Sequence, residues 1–248
     1  MPEALAGAVL FDTVLFDAVL FDMDGTLVDT EGLWWQAVAA VARSLGRPLA
    51  AAEAPYVTGR AVGDTAAHLV AGPAAPPGAG PAAPPGAGPD APPGAAPEAT
   101  SAPVPEGLGV REVAAALTEA FAERVRAGLT VVPGAPELLA ELAAAAVPTA
   151  LVTASPRSIV ELVLPRLGHT FDLVIADGDT ARGKPHPEPY LEAARRLRVA
   201  PARCVAVEDS PAGVAAATAA GCRVLVVDPG HGLARVRASL RGAPPHGG

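Results

Sequence analysis

Asp22 and Asp24 stand two positions apart, directly after the apolar run Ala18-Val19-Leu20-Phe21 and before Gly25-Thr26. A run of that kind suits a strand buried on both faces, and the abrupt switch to carboxylate, carboxylate and glycine ends it. Gly25 supplies the backbone freedom for a turn, so the two carboxylates can converge on one point. Like charges that close repel, so the pair needs a cation, a proton, or both. A bare Asp-Gly pair is more often a plain turn, and the rest of the chain has to decide. Polar residues recur after two later apolar runs: Thr153 and Ser155 after Leu151-Val152, and Glu208 and Asp209 after Val205-Ala206-Val207. Lys184 sits in the loop Gly183-Lys184-Pro185. Singly each has a dull explanation, Thr153 as a buried hydroxyl and Glu208-Asp209 as a helix N-terminus. Together they read as a site for phosphate and Mg²⁺: carboxylates suit a hard cation, while a hydroxyl and an ammonium suit phosphate oxygens.

Such residues meet only if the strands that carry them run parallel, because ligands in an open α/β sheet bind outside the carboxyl ends of its strands. The pattern supports that. Helical periodicity over Pro136–Ala146, Ser158–Leu167, Glu188–Leu197 and Ala212–Ala220 alternates with apolar strands at Thr149–Thr153, Leu173–Ala176, Cys204–Val207 and Arg223–Val227. Repeated strand and helix units predict an α/β fold with a Rossmann-like parallel sheet core and helices on both faces. Between the first strand and the rest, helices are expected over Thr30–Gly46, Val62–Val70 and Val110–Arg126, an inserted small α-helical cap. The predicted organisation is therefore an N-terminal repeat extension over 1–17, a core over 18–29 and 129–230, a cap over 30–128 and a tail over 231–248.

Two stretches stand outside that scheme. Val-Leu-Phe-Asp occurs at 9–12, 14–17 and 19–22, and only the third copy leads into Asp-Gly-Thr, so Asp12 and Asp17 are expected to be non-catalytic. A repeat of five would put successive copies on opposite faces of a continuous strand. Within the cap, 72–107 is a Pro/Gly/Ala-rich tract built on GPAAPPGA. Paired prolines block helix and sheet, so a disordered, semi-extended insertion is expected there.

A net charge of −8 argues against nucleic acid or an anionic membrane as the main partner. Cys204 and Cys222 are too few and isolated for a disulfide framework and read as buried thiols, as in a reducing cytoplasm. No run suits a bilayer span, and no signal peptide is recognisable at the N-terminus, so a cytoplasmic location and a monomer are expected. Of the 18 basic residues, Lys184 alone is lysine. A chain that otherwise uses arginine for every positive charge keeps a compact ammonium at one position, which suggests a steric demand there.

The joint order of FDMDGTLVD (21–29), LVTAS (151–155), GKPHPEPY (183–190) and VEDSPAG (207–213) resembles the haloacid dehalogenase superfamily, in the branch with a helical cap that includes β-phosphoglucomutase and the hexitol phosphatases. The resemblance covers roughly residues 18–230. It implies Asp22 as nucleophile and Asp24 as general acid and base. It also implies Thr153, the Ala154 amide and Ser155 around phosphate, Lys184 as charge neutraliser, and Asp22, Asp24, Asp209 and Glu208 around Mg²⁺. Glu31, Trp34 and Arg60 are the cap residues expected to contact a substrate. Relatives that dehalogenate lack the second aspartate, and those that cleave carbon–phosphorus bonds use a cap lysine, which this chain lacks. The resemblance thus implies a Mg²⁺-dependent phosphatase of small sugar or polyol phosphates. A sugar phosphomutase is the alternative, although mutases of that kind carry histidine where this chain has Trp34 and arginine where it has Val62. An inactive homologue, with the tract and the repeats as an interaction scaffold, is the reading from another class.

Overall fold

The computed structural model describes residues 16–72, 109–227 and 232–241. The expected proline-rich insertion, apart from Gly72, and Asp12 with the first Val-Leu-Phe-Asp copy lie outside the described residues.

Strand β1 (Ala18–Phe21) is followed by the short β2 (Val28–Asp29), then by helices α1 (Glu31–Ser44), α2 (Ala54–Val57), α3 (Val62–Ala71) and α4 (Val110–Ala127). The chain continues through β3 (Thr130–Val131), α5 (Ala135–Ala144), β4 (Thr149–Pro156), α6 (Arg157–Leu167), β5 (Leu173–Asp177), α7 (Glu188–Leu197), β6 (Cys204–Glu208), α8 (Pro211–Ala219), β7 (Arg223–Val226) and α9 (Ala234–Leu240). The main sheet is parallel in the order β5-β4-β1-β6-β7, so β1 is central and the chain reverses its direction of winding there. That is the topology of a doubly wound, Rossmann-like α/β fold, and its switch point lies at the carboxyl end of β1.

Strand alternation sorts the core into two layers. Val19 and Phe21 of β1, Leu151 of β4 and Val205 and Val207 of β6 face α5, α6 and α9 through Leu138, Leu139, Val160, Val163 and Leu240. Ala18, Leu20, Ala150, Val152 and Ala206 face α7 and α8, where Tyr190, Ala193, Ala216 and Ala217 pack on them. Both faces of β1 are dry, which is why its sequence reads as an unbroken apolar run rather than an alternating one. Helices α1 to α4 bury a separate cluster, Val38, Val41, Leu45, Val57, Ala66, Leu69, Val113 and Leu117. The two crossings between helices and sheet are tied together: Val28 pairs with Val131 and Asp29 with Thr130 in an antiparallel two-stranded ribbon. Strands that short carry no periodicity, and the sequence gives no sign of them.

Two expectations need correction. Between the second and third copies of the repeat the described residues form no continuous strand, since Phe16 and Asp17 lie outside β1. Phe16 shares the cluster of Val19 and Phe21; on an unbroken strand it would join Ala18 and Leu20. The chain bends at Asp17, whose carboxylate lies 2.6 Å from Arg203 at the opposite edge from the catalytic candidates. Strand β4 also runs past Thr153 to Pro156, so Thr153 and Ser155 lie within it. Its pairing with β5 shifts between Val152 and Pro156, and this irregular stretch is where the hydroxyls leave the regular ladder.

Candidate active site

The third Val-Leu-Phe-Asp copy occupies the central strand, and Asp22 follows directly at its end, its amide donating to Val207 O at 3.0 Å. The chain then turns tightly. Met23 O accepts from the amides of Thr26, Leu27 and Val28, and Gly25 N donates to Val28 O at 2.8 Å. Gly25 has φ +82°, and a Cβ there would stand 1.9 Å from Asp209 Oδ2. Glycine is needed twice over, for the left-handed backbone and for the approach of Asp209. Thr26 adds a hydroxyl donated to Asp209 Oδ1 at 3.3 Å.

Lys184 joins the two halves of the site. Its Nζ donates to Asp22 Oδ1 at 2.6 Å, to Glu208 Oε1 at 2.5 Å and to Val152 O at 2.8 Å. All three ammonium protons are thereby placed. Burial alone would push the Lys184 pKa down, but the charges and hydrogen bonds of Asp22 and Glu208 outweigh it and hold the ammonium protonated. Asp22 moves the other way: burial raises its pKa well above the usual carboxylate range, Lys184 opposes this, and Glu208, Asp209 and Asp24 reinforce it. Asp209 is pushed up to about 6, by burial first and then by Glu208. One ammonium is thus too little positive charge for the carboxylates gathered around it.

One oxygen each from Asp22, Glu208 and Asp209 lies within 4.8 Å of the others. An all-oxygen donor set with an excess of negative charge fits a hard divalent cation. The carboxylate of Asp24 is not in that group. Its Oδ1 accepts from Thr30 Oγ1 at 2.7 Å, and its Oδ2 from Ser155 Oγ at 2.7 Å and Thr153 Oγ1 at 3.2 Å. Three hydroxyls hold Asp24 as a separate acid beside the cluster.

Glu208 is fully buried and is steered by groups that the sequence reading passed over. Tyr190 OH donates to its Oε1 at 2.5 Å, Ser210 Oγ to its Oε2 at 3.2 Å, and the Lys184 ammonium lies 5.3 Å from the Tyr190 ring centre. Ser210 also caps α8 by accepting from Gly213 N at 3.0 Å. A Cβ on Gly213 would fall about 2 Å from the Glu208 carboxylate. Tyr190 closes the motif GKPHPEPY, and a tyrosine fixed six residues after the lone lysine was the available signal.

Asp22, Asp24, Ala154, Ser155, Lys184 and Asp209 line one cavity of about 150 Å³, and Glu31, Trp34 and Arg60 line it from the helical side. Thr153 lies just behind, in an adjoining small cavity that Ala154 and Lys184 also line. All the candidate residues named from the sequence therefore converge, with Glu208 buried beneath rather than lining the space.

A parallel sheet with paired aspartates at its switch point, a lysine bridge and an acidic group on the neighbouring strand defines a class, and the comparisons agree. The profile of haloacid dehalogenase-like hydrolases matches residues 16–221, and the chain belongs to that family. It is 40% identical over 102 residues to hexitol phosphatase A of Escherichia coli, covering 41% of this chain and 47% of that one. It is 44% identical over 92 residues to validoxylamine A 7'-phosphate phosphatase of Streptomyces hygroscopicus, covering 36% of this chain and 43% of the relative. The matches thus span less than half the length of these two curated relatives. Among solved structures, CbbY from Rhodobacter sphaeroides in complex with phosphate superposes with a TM-score of 0.67 at 29% identity, covering 85% of both chains. Among the described residues no helix is long and apolar enough to cross a membrane.

Proposed function

We propose that this protein is a Mg²⁺-dependent phosphatase of small phosphorylated metabolites, sugar or polyol phosphates, acting through an aspartyl phosphate on Asp22. The observation that carries this reading is the division of the carboxylates. Asp22 is held by Lys184 at 2.6 Å, and Asp24 is held apart from it by three hydroxyls, yet both line one cavity. Two carboxylates in different settings suit two different tasks.

In the proposed reaction an Asp22 carboxylate oxygen attacks phosphorus, the bond from phosphorus to the ester oxygen breaks, and Asp24 gives a proton to the departing alcohol. Asp24 then takes a proton from water, whose oxygen attacks phosphorus and breaks the bond to Asp22, releasing inorganic phosphate. The Lys184 ammonium neutralises charge beside the phosphoryl group without giving up its three contacts. The Ala154 amide, with the Thr153 and Ser155 hydroxyls once they turn from Asp24, would meet the phosphoryl oxygens, a donor of this kind being worth about 3 kcal/mol to the transition state. A Mg²⁺ held by Asp22, Asp209 and Glu208 supplies, when bound, the positive charge that lets an anionic ester approach this acidic site. Thr26, Gly25 and Tyr190 keep the Asp209 and Glu208 carboxylates where that ion would need them.

Hydrolysis is favoured over a mutase because Trp34 and Val62 both line the cavity. At these two positions the resemblance places histidine and arginine in phosphomutases, and the side chains present here are an indole and an isopropyl group. Phosphate release from a panel of sugar and polyol phosphates, with and without Mg²⁺, tests the proposal. Release that needs the ion and disappears in Asp22→Asn supports it. Conversion of β-glucose 1-phosphate to its isomer without phosphate release would replace it with the mutase reading.

A further inference from the structure

The cavity takes much of its lining from α1, the start of α3 and α4, and apart from Glu31 what those elements bring is apolar. Trp34, Val62 and Phe121 all line it. The Trp34 and Phe121 rings meet edge to face, with centroids 5.3 Å apart and planes at 72°. An indole has one hydrogen-bond donor. Here it is spent: Trp34 Nε1 donates to Val57 O at 2.7 Å, so the ring offers the cavity no polar group. Phe121 and Val62 have none to offer. Glu31 on α1, with Thr58 and Arg60 in the loop before α3, lines the cavity from this side, and all three are exposed. A hydroxyl pressed against the indole, the phenyl ring and the isopropyl group would lose its water and find no partner, while a C–H or aromatic surface there loses nothing.

We infer that the alcohol part of the substrate presents an apolar ring face, aromatic or the C–H face of a cyclic sugar, to Trp34, Val62 and Phe121, and that an open-chain polyol phosphate is the poorer substrate. This rests on the phosphatase reading and narrows it. Trp34 and Phe121 are specificity determinants on this account, acting through shape and through their lack of donors.

The test compares kcat/KM for benzyl phosphate and sorbitol 6-phosphate at saturating Mg²⁺. Both release a primary alcohol, and the neighbouring hydroxyls make sorbitol the better leaving group, so intrinsic reactivity runs against the inference. The expected result is a preference for benzyl phosphate of about 10-fold or more, the scale at which apolar pockets discriminate. Val62→Thr keeps the side-chain shape and adds a hydroxyl to the wall; it should reduce the ratio several-fold, with folding checked by circular dichroism. Phe121→Ala should reduce it further where the variant folds. Equal or better turnover of sorbitol 6-phosphate, or a ratio unmoved in folded Val62→Thr, overturns the inference and leaves the phosphatase reading standing. Absence of phosphate release from both esters and from the wider sugar phosphate panel removes the reading beneath it.

Discussion

Carboxylates are handled in opposite ways at the sheet switch point and in the helical layers around it. Glu53, near α2, accepts from Arg47, from His68 at 2.9 Å and from the Ala50 amide at 2.9 Å. Burial pushes its pKa up, but those donors outweigh burial and the net shift is downward. Glu141 on α5 is gripped by Arg237 and Arg241 of the C-terminal helix region, and its pKa is lowered, chiefly by the hydrogen bond from Arg237. In each case one carboxylate meets two basic side chains. At the switch point the ratio reverses: Asp22, Glu208 and Asp209 gather around the single ammonium of Lys184, and the pKa values of Asp22 and Asp209 rise. The outer groups are satisfied within the chain and hold helices together. The inner group is left short of positive charge, which is the condition for taking up a cation, and perturbed carboxylates in a cavity mark function more often than support.

The comparison is sharpest at Asp22. Asp22→Asn should lower turnover by about 10,000-fold while raising the melting temperature of the metal-free protein, because it removes a buried charge that the fold accommodates at a cost; such gains run to about 1 kcal/mol. A thermal scan beside a phosphate-release assay checks both halves. Loss of stability in that variant would mean the site is balanced like Glu53. Lys184→Arg keeps the charge but cannot reproduce three donors from one compact nitrogen, so kcat should fall about 100-fold. Near wild-type rates would mean that the lone lysine is an accident of composition.

Tyr190→Phe removes one partner of the buried Glu208. A decrease of about 1–3 kcal/mol in stability is expected, with a smaller loss in kcat than for Lys184→Arg and little change in KM. A change confined to KM would argue that Tyr190 serves the substrate and not the carboxylate. The pH dependence has a definite sign. The unfolded chain gives up the Asp209 proton near 3.8, while the folded protein holds it to about 6. The metal-free protein should therefore lose stability as pH rises through that window, and Asp209→Asn should flatten the slope. Glu141 acts oppositely: its stabilisation is present above its ordinary range and is lost as acid protonates it. The smallest effect is expected from Glu141→Gln, about 1 kcal/mol or less in stability and none in turnover, read from the same assays.

Much of the candidate site was legible because the residues proposed to do the chemistry interrupt apolar strands, where any polar residue is conspicuous. Asp22 after Phe21 and Glu208 after Val207 could be placed on one sheet edge from strand order alone. The composition argument pointed to Lys184, whose ammonium makes three short contacts, and Lys184→Arg is its test. Less could be read where position depends on tertiary geometry. The grip of Thr153 and Ser155 on Asp24 joins residues more than 100 positions apart, and nothing local distinguishes those hydroxyls, or that of Thr30, from ordinary strand and cap residues. Tyr190 stood only as the end of a motif, since periodicity reports which face of a helix is buried and not what a hydroxyl on it meets. The β2–β3 ribbon was invisible for want of length, and the Trp34 donor bond to Val57 for want of any local pattern.

The claim on which the account turns is that Asp22, and no other carboxylate of the group, receives the phosphoryl group. The direct measurement is acid quenching of the enzyme during turnover of a small phosphate ester with Mg²⁺, followed by digestion and mass spectrometry of the peptides. The account predicts one phosphoryl group on Asp22, formed only with the divalent ion and lost in Asp22→Asn. Steady phosphate release with the label on Asp24, or with Asp22 unmodified throughout turnover, would contradict it.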